Sequence, residues 1–281
     1  RRKWDNQCIG LEMDSHYFTA YCYEKIKQGL PNAKIKDSER LVNWVRLVKS
    51  NAEIDLMRTA SKITEQGMKT AIESINPGVR QCDAVAEIQK SLIGGTPEFG
   101  GDYSGIVPLL PTGKGTSASH LTWTEEKFIK GEATIVELAG VYKKYNCPMA
   151  RTIMLGKADQ KKIDTMKATN EALDSGISEI KPGKTCDEVA QKFWKVLDKY
   201  GIKKNSRTGY SIGIGYPPDW GEHTLNIQKG DKTILQPNVT FHMIAVMQFG
   251  NWGAHSSESI RVTEKGYELF CDFSREWHIK E

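Results

Sequence analysis

INPGVRQCDAVAEI at residues 75–88 returns later in the chain as IKPGKTCDEVAQK at residues 180–192. Both copies contain Pro-Gly, a short spacer and then Cys-Asp-x-Val-Ala, and the spacers differ by a single residue, which a loop tolerates. An internal repeat of this kind indicates a fold built from two equivalent halves, each containing one copy.

The sequence around each copy predicts the same local structure. Apolar residues recur every three to five positions in residues 53–74 and again in residues 161–180, which indicates a helix before each copy. Pro-Gly ends that helix, and Asp83 or Asp187 is expected to cap the start of the next one.

Extended segments follow the second helix of each half. Alternating and β-branched residues predict strand–turn–strand units in both places. We therefore expect an α+β fold with a ligand cleft between halves at about residues 50–157 and 158–275. The predicted strands cover residues 134–142, 149–155, 240–248 and 258–263.

Residues 1–48 lie outside the repeat. They contain one predicted helix, residues 17–30, and a strand end near Ile9, and the chain has no initiating Met. We interpret residues 1–48 as the last part of an N-terminal domain and its linker, with the catalytic domain in residues 49–281.

Composition excludes several classes of protein. The 281 residues include 39 Lys and Arg against 35 Asp and Glu, and no basic run forms a stripe, which argues against nucleic-acid binding. The longest stretch without formal charge, residues 233–257, contains Pro, Asn, Gln and His, so a membrane partner is not expected.

The cysteines predict a compartment. They lie at long spacings without a CxxC motif, which argues against a zinc knuckle or a thioredoxin-like site. Reduced, mostly buried thiols in a cytoplasmic protein are the expected state. The six cysteines are Cys8, Cys22, Cys82, Cys147, Cys186 and Cys271.

Several landmarks together resemble a known superfamily. GEATIVE at residues 131–137, Arg151-Thr152 and VTEKG at residues 262–266 are similar to the creatinase/prolidase/methionine aminopeptidase superfamily over about residues 50–275. The resemblance implies its "pita-bread" fold, two pseudo-symmetric halves, and a homodimer.

The metal ligands of that superfamily are absent here. Its peptidases bind two metals with two Asp, one His and two Glu, and the resemblance puts other residues at most of these positions. Proline and methionine supply no oxygen ligand to a metal, and one or two carboxylates do not hold a dinuclear site. We therefore expect no metal and no cofactor. The residues at the five positions are Glu137, Pro148, Tyr210, Met243 and Ser257.

One metal-free branch fits better than the peptidases. Residues 146–152, 209–222 and 257–264 resemble ectoine hydrolases, which open a cyclic amidine ring without metal. The implied function is hydrolysis of ectoine or 5-hydroxyectoine to an N-acetyl-2,4-diaminobutyrate. Two alternatives remain: a creatinase-like hydrolase of another amidine or guanidine, and a degenerate peptidase that only binds a ligand.

Three residues are candidates for the catalytic chemistry. Glu137 is expected to pair with the amidinium and then to attack the ring carbon or activate water. His120, in a loop near the superfamily's catalytic His, is expected to move a proton near neutral pH. Glu258 is a candidate second carboxylate. The structural alternatives are an outward-facing strand Glu, a loop His that bonds the backbone, and an ion-paired Glu.

A second group is predicted to bind the substrate. Aromatic residues in Gly-rich loops would offer faces to a cation, although any one of them is as readily explained by core packing. His255 precedes Ser257 and Glu258, and Cys147 is a weaker candidate because no base accompanies it. The complete predicted substrate-binding set is Tyr210, Tyr216, Trp220, Trp252, His255 and Cys147.

Overall fold

The computed structural model describes residues 3–280, which form two compact units that divide between Arg46 and Leu47, residues 3–46 and 47–280. In the smaller unit a 3₁₀ turn, Trp4–Asn6, precedes strand β1, and β1 pairs in parallel with β2. Thr19 caps helix α1 by accepting a hydrogen bond from the Cys22 amide. The elements of this unit are β1 (Cys8–Leu11), α1 (Ala20–Gly29), β2 (Lys34–Asp37) and α2 (Leu41–Arg46).

The first half of the larger unit contains two helices followed by a hairpin. Helix α3 begins with a capping box, in which Ser50 and Glu53 each accept a hydrogen bond from the other's backbone amide. The elements are α3 (Asn51–Ser74), α4 (Gln81–Gly94), a 3₁₀ turn (Gly113–Ser117), β3 (Ala133–Tyr142) and β4 (Tyr145–Leu155).

The second half repeats this plan and adds strands. Thr185 and Glu188 form the same capping box at the start of α6. The elements are α5 (Gln160–Ser178), α6 (Cys186–Lys199), β5 (Gly209–Tyr216), β6 (Asp219–Asn226), β7 (Thr240–Gln248), β8 (Gly253–Val262), β9 (Tyr267–Leu269) and β10 (His278–Lys280).

The strands of the two halves join in an eight-stranded sheet. The order is β10-β4-β5-β7-β8-β9, with β3 paired to β4 and β6 paired to β5. Tyr145 of the first half pairs with Ile214 of the second, and β10 returns to lie parallel to β4. The expected α+β plan of two equivalent halves is confirmed, and the sheets are continuous rather than separate layers.

Two apolar clusters form the core, one beneath the helices of each half. The first contains Ile54, Met57 and Ile63 of α3, and the second contains Phe193 and Leu197 of α6. The amphipathic stripes that predicted α3 and α5 are therefore the faces that these helices bury.

The repeated Asp residues do not cap the second helices as predicted. Arg80 and Thr185 are the N-cap residues, while Asp83 and Asp187 lie within the first turn. Asp187 accepts hydrogen bonds from the Gly230 amide and from Lys232. These contacts hold the pKa of Asp187 well below its usual range, and a carboxylate in the first turn also favours the helix dipole.

The segment interpreted as Gly-rich loops is in fact the hairpin β5–β6. Glycine is required there because other groups approach the backbone closely. A Cβ on Gly213 would lie 2.4 Å from Glu222 Oε1, and one on Gly215 would lie 2.8 Å from the Trp220 Cα. Tyr210, Tyr216 and Trp220 are therefore strand residues.

All six cysteines are free, and three of them are buried: Cys147, Cys186 and Cys271. Cys8 and Cys22 are exposed, so the expectation of mostly buried thiols is correct for only half of the set. Among the helices in residues 3–280, none is long and apolar enough to cross a membrane.

Candidate active site

Strand β3 turns the Glu137 side chain away from the helices. Side chains alternate between the two faces of a strand. Leu138 and Gly140 face α3, because a Cβ on Gly67 of that helix would touch Leu138 and a Cβ on Gly140 would lie 2.5 Å from the Ala60 carbonyl oxygen. Glu137 therefore lies on the opposite, inner face. Its backbone is fixed on both edges of β3, by Ala150 of β4 and by two hydrogen bonds with Leu109.

The Glu137 carboxylate is buried with little to neutralise it. The residue is 5% exposed, and no hydrogen bond from the described residues reaches its side chain. Burial raises the pKa of Glu137 to about 7, because a charged carboxylate loses hydration there. Such a group changes its charge near neutral pH, as a nucleophile or base in catalysis often does.

His255 of β8 is a titratable neighbour of Glu137. Its Nδ1 lies 3.9 Å from Glu137 Oε2, which is too far for a hydrogen bond. Both ring nitrogens are buried and lack a hydrogen-bond partner among residues 3–280. Burial, with Lys204 and His120 adding to the effect, lowers the pKa of His255 to about 3 and keeps it neutral.

A chain of hydrogen bonds crosses the same face. Trp220 Nε1 donates to the Tyr210 hydroxyl at 2.8 Å, and that hydroxyl is 3.0 Å from His242 Nδ1. His242 Nε2 is 2.7 Å from Ser257 Oγ, which accepts a hydrogen bond from the Ala150 amide at 2.6 Å. Burial is the main cause that lowers the pKa of His242 to about 3, so this histidine is neutral.

His120 lies in an exposed bend, with a φ of 63°. The bend is tied to β7 by a hydrogen bond from Gln248 to Ser119. His120 is near enough to His255 to contribute to the lowered pKa of that residue. His120 is therefore an exposed residue whose charge reaches the buried His255.

Glu258 is not part of this cluster. It pairs in register with Met243, whose terminal methyl group faces α5. A Cβ on Gly176 of that helix would lie 2.3 Å from Met243 Cε. On that helix side the Glu258 carboxylate binds Arg151 at 2.9 Å and Arg275 at 3.3 Å. The position therefore favours the ion-paired, structural alternative, because the alternation of β8 separates Glu258 from Glu137.

Cys147 also faces away from the cluster. It pairs in register with Gly140, which faces α3, and it is fully buried in the first apolar cluster. The Cys147 thiol lies near that of Cys271. The strand therefore gives Cys147 no access to a substrate beside Glu137.

The four predicted aromatic contacts separate into different environments. Tyr210 lies in the cluster, but the Arg207 guanidinium already stacks 4.5 Å from its ring centre. Trp220 is fully buried, and only its N–H reaches the site. Trp252 stacks on Phe249 in the β7–β8 turn. Tyr216 lies at the exposed tip of the β5–β6 hairpin, roughly 20 Å along the strand from Tyr210.

On β7 the structure separates two neighbouring residues. Met243, which the resemblance places at the first Glu position, faces α5, whereas His242 faces Ser257 and Tyr210. His242 is not among the residues that the sequence pointed to, because the histidines of the chain have no ligand-like spacing. The signal that would have found it is period-two alternation: in a buried strand, His242 is the one ionisable side chain between apolar neighbours.

These residues do not fit the dinuclear metal site of the superfamily. Tyr210, His242 and Ser257 already bind one another, and the polar atoms that a metal would need are engaged in those bonds. No group of three or more His, Cys, Asp or Glu among residues 3–280 is arranged to hold a metal ion.

Comparison with known proteins agrees with this fold. The model of "Metallopeptidase family M24" matches residues 55–264. An ectoine hydrolase of Halomonas elongata is 42% identical over 99% of this chain and 71% of its own length.

Solved structures show the same architecture. An Xaa-Pro dipeptidase from Bacillus anthracis superposes with a TM-score of 0.87 and 22% identity, over 98% of this chain and 75% of that one. Prolidase from Pyrococcus furiosus gives 0.84 and 19%, over 98% and 81%. The predicted pita-bread fold and the predicted hydrolase class are both confirmed. By its sequence match and its fold, the chain belongs to metallopeptidase family M24.

Proposed function

We propose that this chain is a metal-independent hydrolase that opens the cyclic amidine ring of ectoine or 5-hydroxyectoine to give an N-acetyl-2,4-diaminobutyrate. The 42% identity to a protein named ectoine hydrolase supports the substrate. The absence of a fitting ligand set around Glu137 supports chemistry by side chains alone.

One observation carries the proposal. Glu137 is a buried carboxylate without a hydrogen bond from the described residues, and it faces His255, whose two ring nitrogens are also unpaired there. Buried polar groups are nearly always paired, so groups left open on a shared face point to a ligand that completes them. A delocalised amidinium supplies both the charge and the N–H donors that such groups require.

The substrate changes the state of Glu137. Free, the carboxyl has a pKa raised to about 7, and an amidinium beside it favours the ionised form. The carboxylate then has two routes: it attacks the carbon between the two ring nitrogens, or it takes a proton from a water that attacks there. In both routes one water is consumed and one carbon–nitrogen bond is broken.

The departing nitrogen needs a proton. We assign this role to His120, because it is exposed to solvent and its charge reaches His255. His255 is neutral and buried, and we assign it to holding the substrate or the attacking water beside Glu137.

The proposal also covers the partner, the assembly and the domains. The partner is a small zwitterion rather than nucleic acid or a membrane. The protein is a cytoplasmic homodimer, and residues 49–281 form the catalytic domain after residues 1–48.

The test is direct. Purified protein is incubated with ectoine in excess chelator, and the products are followed by NMR and mass spectrometry. Ring opening with the gain of one water is the expected result. Failure to turn over ectoine, with turnover of another amidine or guanidine, would favour the creatinase-like alternative, and binding without turnover of any would favour a degenerate binding protein.

A further inference from the structure

The hydrogen-bonded residues beside Glu137 have one more hydrogen to donate than there are hydrogen bonds among them. We call Tyr210, His242 and Ser257 the inner-face chain. Each end accepts from a fixed donor: the Trp220 indole donates to Tyr210, and the Ala150 amide donates to Ser257. Neither of these donors can be reversed, because an indole N–H and a backbone N–H only donate.

Counting hydrogens within the inner-face chain gives a definite answer. Tyr210, neutral His242 and Ser257 each have one hydrogen to donate, and only two hydrogen bonds, Tyr210–His242 and His242–Ser257, join them. One hydroxyl hydrogen is therefore left over in either tautomer of His242. With Nε2 protonated it belongs to Ser257, and with Nδ1 protonated it belongs to Tyr210.

Burial decides between the two tautomers. Ser257 is fully buried, and among residues 3–280 its hydroxyl has no partner besides His242 and the Ala150 amide. A leftover hydrogen there would be an unsatisfied buried donor, which costs free energy. Tyr210 is only partly buried. The favoured arrangement has Ser257 donating to Nε2, Nδ1–H donating to Tyr210, and the Tyr210 hydrogen free.

Tyr210 is thereby set as a donor rather than as an aromatic surface. Its oxygen accepts from both Trp220 and His242, so its hydroxyl has only its hydrogen to offer a ligand. One face of its ring is covered by the Arg207 guanidinium, and burial, with the Glu137 and Asp219 carboxylates adding to it, raises the pKa of the hydroxyl, which therefore stays protonated. A protonated hydroxyl whose oxygen already accepts two hydrogen bonds offers a hydrogen to an anionic oxygen, not a lone pair to a cation.

We propose that Tyr210 donates its hydroxyl hydrogen to the carboxylate of a zwitterionic substrate while Glu137 meets the cationic ring, with His242 and Ser257 acting as positioning residues. This rests on the proposed function for the identity of the substrate. Tyr210 would thus determine specificity for amidines that carry a carboxylate.

The first test reads the tautomer without any substrate. Nitrogen-15 NMR of histidine-labelled protein, assigned against His242→Asn, should show neutral His242 protonated at Nδ1 between about pH 6 and 8. Protonation at Nε2 would place the free hydrogen on Ser257 and overturn the proposal, whatever the enzyme hydrolyses.

The second test reads the ligand. In a Glu137→Gln background, in which turnover is expected to be slow, calorimetry compares the binding of ectoine with that of the same methylated cyclic amidine lacking the carboxylate. Adding Tyr210→Phe should weaken ectoine binding by about 10- to 100-fold, the scale for a hydrogen bond to a charged group. It should leave the carboxylate-free ring unaffected. Tyr200→Phe, which removes a surface hydroxyl bonded to Glu171, is the matched control.

The outcomes separate this inference from the proposed function. Equal weakening of both ligands by Tyr210→Phe, or weakening of neither, overturns the Tyr210 assignment even if ectoine is hydrolysed. Selective weakening of ectoine supports the assignment even if wild-type protein fails to open the ring. If ectoine binds neither to the Glu137→Gln protein nor to the Glu137→Gln, Tyr210→Phe protein, both the Tyr210 assignment and the proposed function are overturned.

Discussion

At the scale of single residues, the raised pKa of Glu137 predicts the pH dependence of activity. The carboxyl titrates at about 7 rather than near 4.5 because it is buried. If the ionised form reacts, kcat/KM should rise as pH increases through about 7 and reach a plateau above it. Steady-state kinetics from pH 5.5 to 9 would measure this, and a profile that falls with pH over this range would be inconsistent with an ionised Glu137.

The same burial predicts an effect on stability. A carboxyl whose pKa is higher in the folded chain favours folding below pH 4.5, and this contribution is lost as pH rises through about 7. Glu137→Gln should therefore be more stable than wild type at pH 8, by up to about 3 kcal/mol, with little difference at pH 5. Denaturant titrations at both pH values measure it, and equal stability at pH 8 would show that the carboxylate is solvated.

Sequence alone identified some of the site residues for reasons that structure makes clear. Glu137 stands out as a charge within an apolar strand, which is visible without coordinates. His242 was missed because its partners, Tyr210 and Ser257, are on other strands, and the tertiary pairing that joins them leaves no local pattern. The orientation of Cys147, the weaker candidate, could not be read from the sequence because it depends on the register with Gly140.

At the scale of elements, β8 carries two neighbouring residues with opposite orientations. Glu258 forms a buried ion pair with Arg151 on the helix side, and removing one partner of such a pair leaves an uncompensated charge. Glu258→Ala should lower the free energy of unfolding by about 3–5 kcal/mol. Glu258→Gln, which keeps one hydrogen bond, should lose less.

Denaturant unfolding of both Glu258 variants, with kinetics of the fraction that remains folded, checks this assignment. The folded fraction should retain its KM for substrate. A Glu258→Gln variant with unchanged stability but no activity would return Glu258 to the list of catalytic residues.

The helices and strands were more predictable than their contacts. The apolar stripes of α3 and α5 and the β-branched runs of β3 and β7 have the periods of helix and strand, so sequence located them. The hairpin β5–β6 was not recognised because its glycines are typical of loops. The close approaches of Glu222 to Gly213 and of Trp220 to Gly215 explain why glycine is needed in that strand.

At the scale of the whole molecule, the proposed absence of a metal can be tested. On the inner face of this metallopeptidase fold, Tyr210, His242 and Ser257 are hydrogen-bonded to one another. We predict full activity in chelator and less than about one equivalent of Mn, Zn or Co per chain by elemental analysis. The reason is that one or two carboxylates do not hold two metal ions. Stoichiometric metal with activity lost in chelator would contradict this.

The proposed homodimer also belongs to this scale. Light scattering of the protein at concentrations used for kinetics should give twice the chain mass of 31.6 kDa. A monomer that is fully active at those concentrations would exclude dimerisation as a requirement for the site.

The most direct measurement of the central claim is ring opening of ectoine by Glu137→Gln. The substitution keeps the shape of the side chain and removes both the nucleophile and the base, so kcat should fall by roughly 100-fold or more. A covalent adduct on Glu137 in a slow variant, found by mass spectrometry, would select direct attack over activation of water. Ring opening by Glu137→Gln at a rate near that of the wild-type protein would contradict the account.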